Sequence, residues 1–81
     1  PHDFLVEQMA LREKLEEARD AGALGALERE LAEGKAALEA EIARCLDGER
    51  DYRGAADLVR KLMFLDKLDA DIADAYEALE A

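Results

Sequence analysis

Apolar positions recur along the chain at three- and four-residue intervals, in three blocks parted by short polar breaks. Such spacing marks amphipathic helix, because residues three and four apart share one helical face. In the first block Leu11, Leu15 and Ala18 fall within about 40° of Phe4 on a wheel that advances about 100° per residue. The second stripe reads Leu24, Leu27, Leu31, Gly34, Leu38, Ile42 and Cys45, and the third reads Ala55, Leu58, Leu62, Leu65, Ile72, Tyr76 and Leu79. The breaks are Asp20-Ala21-Gly22 and Asp47-Gly48-Glu49-Arg50-Asp51, where Gly48 can stop one helix and Asp51 can cap the next. Strand-like alternation is almost absent. The pattern predicts helices over 3–20, 23–47 and 52–80, with Gly34 weakening the second by up to ~1 kcal/mol relative to alanine. Short connections make successive helices antiparallel neighbours, so the predicted fold is all-α, an up-down-up antiparallel three-helix bundle. Cys45, on a core stripe, reads as a small buried apolar residue rather than a reactive thiol.

The first helix has a second face. Leu5, Val6, Met9 and Ala10 fall mostly on the side away from the core stripe, and Glu13, Glu16 and Glu17 continue that side. A helix that only had to pack its core would carry polar residues there. An exposed apolar patch rimmed by charge marks a partner site, and methionine suits adaptable binding surfaces. The competing reading is that this end of the helix is buried on both sides or lies beside a further domain. In the third helix Met63 and Phe64 lie about 100° and 200° from Leu62, so both cannot face the core fully. Phe64 falls off the core stripe, so its removal is expected to cost much less stability than that of a core phenylalanine.

Composition narrows the partners. Eighty-one residues suit one domain, and the chain does not begin with methionine, as expected of a piece of something longer. Twenty-one acidic against eleven basic side chains give a net charge of −10. That surface repels phosphate backbones and anionic lipid, so neither nucleic acid nor membrane is the expected partner. Most of these carboxylates need only solvate a helical surface. One cysteine cannot form an internal disulfide, and no apolar run approaches the ~20 residues that span a bilayer.

The carboxylates invite a metal reading, but a di-iron bundle needs Glu-x-x-His pairs on facing helices, and the only histidine is His2. There is no Cys-x-x-Cys, phosphate loop or nucleophile elbow. A small helical chorismate mutase would need Arg and Lys converging between helices to hold a dianion. Arg12, Arg29, Arg44 and Arg60 all lie off the apolar stripes. No enzymatic activity, cofactor or metal is expected.

Two segments carry a resemblance. The run from His2 to Glu17, with Phe4-Leu5-Val6-Glu7-Gln8 and Leu11-Arg12-Glu13, resembles the opening of the C-terminal domain of HscB, the J-type co-chaperone of iron–sulfur cluster assembly. The run from Ala55 to Leu68, with Val59-Arg60-Lys61-Leu62-Met63-Phe64-Leu65-Asp66-Lys67-Leu68, resembles that family's third helix. Order and separation agree as well, so the resemblance spans nearly the whole chain, with the middle helix matching only in type, and implies one C-terminal-type domain over residues 1–81.

The resemblance implies a division of labour. In this family an N-terminal J-domain with a His-Pro-Asp motif stimulates a dedicated DnaK-type chaperone, HscA. That motif is absent here, where Pro1-His2-Asp3 stands in a different order. The C-terminal three-helix domain binds the cluster scaffold IscU and delivers it to the chaperone, and has also been called an oligomerisation domain. The family's scaffold contacts carry over to Leu5, Val6, Met9, Glu13, Glu17 and Phe64, which include the far-face residues of the first helix. Two positions depart from the family pattern: Ala10 stands where glutamate is usual, and Met63 where arginine is usual. The expected compartment is the bacterial cytoplasm, or the mitochondrial matrix in a eukaryote. The alternative expectation is a structural module in which the same patch closes a homodimer and no client is bound.

Overall fold

A computed structural model describes residues 2–81, and the side chains of all of these except His2 and Glu49. Pro1 and the side chain of His2, on which the comparison with His-Pro-Asp turned, lie outside the described residues. The elements are α1 (His2–Glu17), α2 (Ala21–Arg44), a π turn (Cys45–Glu49) and α3 (Tyr52–Glu80).

Capping sets the boundaries. Asp20 has extended backbone and its carboxylate accepts the Ala23 N–H at 2.8 Å, so helix begins at Ala21 rather than at residue 23. For the same reason α1 stops at Glu17, short of the predicted residue 20. Asp51 caps α3 as its sequence position predicts, accepting the Gly54 N–H at 2.9 Å. A Cβ at Gly54 would press on the Asp51 carboxylate, so a larger residue there would have to displace that cap. Gly48 does not stop α2. The helix ends at Arg44 and widens into the π turn, and the left-handed residue that closes it is Arg50, at φ 52° and ψ 35°. Asp51 N–H then donates to the Cys45 carbonyl at 2.8 Å.

The bundle is up-down-up. Phe4 meets Phe64 and Lys61 near one end, while further along Arg12 reaches Asp71 and Lys14 reaches Glu30. Hence α1 runs parallel to α3 and antiparallel to α2. The core is mainly an α2–α3 affair: Leu24, Leu27 and Leu31 interlock with Leu65, Leu68 and Ile72, and Cys45 and Ala55 are buried near the turn. On the α1 side, Leu11 and Leu15 of the helix and Ala18 just past its end pack against this cluster, each half-buried.

The third stripe needs correction. Leu68, absent from the predicted stripe, is completely buried, while Leu79 is 48% exposed. The stripe jumped seven residues from Leu65 to Ile72, and the helical repeat fills that gap at i+3. Leu79 lies one turn beyond Tyr76, whose hydroxyl donates to Glu28 at 3.0 Å in the second turn of α2, so α3 has outrun its partner there. Leu38, Ile42, Leu58, Leu62 and Tyr76 are half-buried. Midway along the hairpin Lys35 bridges Asp66 (2.9 Å) and Asp69. The hydrogen bonds to Asp69 and then Asp66 hold its ammonium above the ordinary lysine pKa. Stability from this raised pKa is complete below the unfolded value of 10.5 and is lost as pH rises through the folded one.

Gly34 sits where α2 and α3 approach closely, and a Cβ there would stand 3.3 Å from Leu65 Cδ1. Alanine at 34 gains about 1 kcal/mol of helix propensity but crowds that methyl, so Gly34→Ala is expected to change stability by less than ~1 kcal/mol. Gly34→Leu cannot be absorbed and should destabilise by about 1–3 kcal/mol. Urea melts of both variants check this.

Candidate docking surface

The outward side of α1 is apolar over its first half. Leu5 (54%), Val6 (52%) and Met9 (64%) are large exposed hydrophobic side chains, and Ala10 beside them is exposed. Spacings of three and four residues place Val6, Met9, Glu13 and Glu17 in one row along the helix, with Leu5 flanking it. Glu13 and Glu17 are exposed and, among the described residues, take part in no ion pair. The reading in which this end of α1 is buried on both sides is therefore ruled out within the chain itself. A contiguous apolar strip that water wets costs free energy until something covers it.

Phe64 occupies a different position from the other five. It is half-buried, packs against the core cluster, and meets the Phe4 ring edge to face with centroids 5.9 Å apart at 88°. The expectation that it lies off the core stripe is thus only half right: the ring is both part of the packing and open on one side. Since Phe64 touches Phe4, its preceding neighbour Met63 (64% exposed) and Leu5 flank the same α1–α3 seam. The structure thus sets Phe64 beside the first turns of α1, whereas Glu13 and Glu17 extend along that helix away from it.

Two side chains near the seam escaped the reading of the sequence. Val59 is 39% exposed one turn before Met63 and extends the apolar surface along α3. Arg12 lays its guanidinium 5.6 Å from the Phe64 ring centre and reaches Asp71 at 3.6 Å. Val59 could have been found from its i, i+4 relation to Met63. No sequence spacing announces a pair that forms only when α1 and α3 meet. Among the described residues no group of three or more His, Cys, Asp or Glu side chains is placed to hold a metal ion. Among them, too, no helix is long and apolar enough to cross a membrane.

Residues 1–73 match the model of the HSCB C-terminal oligomerisation domain. The chain belongs to this family. Among relatives, it is 47% identical over 81 residues to a protein named co-chaperone protein HscB homolog from Azoarcus sp. strain BH72, covering 96% of this chain and 46% of that one. The homolog of the same name from Aromatoleum aromaticum is 44% identical over 80 residues, covering 95% and 45%. One from Bordetella avium is 41% identical over 71 residues, covering 86% and 42%. The chain therefore spans about half the length of the HscB relatives it matches. No solved structure gives a match.

Proposed function

We propose that this domain is the client-binding module of an iron–sulfur cluster assembly co-chaperone. It docks an IscU-like scaffold protein on the outward face of α1 and presents it to an HscA-like, DnaK-type chaperone. The observation that carries the reading is the exposed strip of Leu5, Val6 and Met9 on α1, continued by Glu13 and Glu17, which pair with no charge among the described residues, and bordered by Phe64, in a chain of the HscB C-terminal family. The apolar side chains supply area to bury, and Phe64 offers a rigid ring at its edge. The carboxylates select a partner with a basic rim and set its register and on-rate more than its affinity. The domain catalyses nothing and holds no cofactor. Cluster chemistry belongs to the scaffold, and ATPase stimulation belongs to a J-domain. The corresponding site of action is the bacterial cytoplasm, or the mitochondrial matrix if eukaryotic.

A second reading is a homodimer closed by the same face, which the family's description as an oligomerisation domain favours. A two-fold contact there would set the Glu13–Glu17 row of one copy against that of the other, in a chain of net charge −10. Titration calorimetry with an IscU-like scaffold should give a 1:1 complex with Kd on the order of micromolar, as a small, transient interface allows. Sedimentation of the free domain should show a monomer. No heat with scaffold, together with a dimer that forms as concentration rises, would replace the first reading with the second.

A further inference from the structure

Two aromatic rings flanked by charged groups line the α1–α3 seam. Lys61 Nζ stands 5.5 Å from the Phe4 centroid, Phe4 meets Phe64 edge to face, and the Arg12 guanidinium lies 5.6 Å from the Phe64 centroid. Arg12 is in turn drawn to Asp71 at 3.6 Å, and Asp71 also faces Lys67 of its own helix at 3.8 Å. Phe64 is thereby held from two directions, by a ring and by a cation, and both holders come from α1.

This matters because of what α1 lacks. No described side chain of α1 is fully buried, so its seat on the α2–α3 hairpin depends on half-buried Leu11 and Leu15, on Ala18 just past its end, and on the seam. The docking surface proposed above draws its side chains from both α1 and α3, and these keep their relative places only while the seam is closed. Among the described residues Arg12 alone in α1 touches both the Phe64 ring and a charged group of α3.

We propose that Arg12 is a positioning residue of this surface: anchored by Asp71, it holds α1 against α3 and fixes the Phe64 ring beside the Leu5–Met9 face. The inference rests on the docking reading for its consequence but not for its geometry. Arg12 is 46% exposed on its side chain and Asp71 27%, so the pair adds little to global stability. Its effect falls on the register of two surfaces. Arg12→Gln is expected to weaken scaffold binding about threefold to tenfold, the size of an exposed cation–π contact with its ion pair. Arg12→Lys, which keeps a cation near ring and carboxylate, should stay within about threefold of the parent chain.

A double-mutant cycle with Phe64→Leu, which removes the ring while keeping an apolar side chain, separates positioning from contact. If Arg12 acts through Phe64, Arg12→Gln should lose less than about twofold in the Phe64→Leu background. An equal loss in both backgrounds, or none in either, overturns the proposal. Hydrogen exchange and ring-proton NMR of the free domain decide the geometry without a partner. Arg12→Gln and Asp71→Asn should speed exchange of α1 amides relative to α2 and α3 and should shift the Phe64 ring resonances. Unchanged exchange and ring shifts would refute the clasp even where scaffold binds. A clasp that passes this test in a domain that binds no scaffold would instead refute the docking reading.

Discussion

Leu68→Ala is expected to remove about 3–5 kcal/mol of stability, the cost of a leucine cavity that cannot collapse. Leu68 has no exposed surface and lies in the cluster formed by Leu24, Leu27, Leu31, Leu65 and Ile72, so both sides of the hairpin lose contacts at once. For 81 residues the whole folding free energy is on the order of 4–12 kcal/mol, and the variant should populate unfolded chain at 25 °C. Leu79→Ala is the matched control: the side chain is 48% exposed past the start of α2, and its truncation should cost less than ~1 kcal/mol. Urea melts followed by circular dichroism compare the two. Similar losses from both would mean that α3 is turned about its axis relative to the packing described.

Phe64→Ala should cause two separate losses. The ring is half-buried, so stability should fall by about 2 kcal/mol, below the ~3–5 kcal/mol of a fully buried phenylalanine and including the edge-to-face pair with Phe4. Scaffold affinity should fall by about 1–3 kcal/mol, roughly 5- to 150-fold, as truncation of an aromatic anchor does. The second loss is measured by calorimetry at a temperature where urea melts show the variant folded. Loss of stability with affinity intact would assign Phe64 to the core alone.

Much of the fold was legible because helix leaves a periodic trace. Leu24, Leu27 and Leu31 repeat at the helical interval and are buried, and Asp51 announced the start of α3 by its residue type. What the sequence hid are the features decided by how far one helix runs beside another. Leu79 continues the stripe by type and spacing, and only the shorter reach of α2 exposes it, whereas Leu68 stood one helical repeat after Leu65 and was readable. Arg50, not Gly48, takes the left-handed backbone at the end of the π turn, and residue type alone pointed to the glycine. On the candidate surface, the outward apolar character of Leu5, Val6 and Met9 was readable from the wheel because the signal lies within one helix. The double life of Phe64 was not, since its burial comes from Phe4 and its cation from Arg12, both on another element.

The docking claim is tested most directly by the double variant Leu5→Ala with Met9→Ala, titrated calorimetrically against the scaffold and melted in urea alongside the parent. Both side chains are more than half exposed and alanine favours helix, so the urea midpoint should stay where it was. Affinity should drop about tenfold or more, because the two largest exposed apolar groups of α1's first turns are gone. Unchanged affinity, or a midpoint that falls in step with it, would contradict docking on this face.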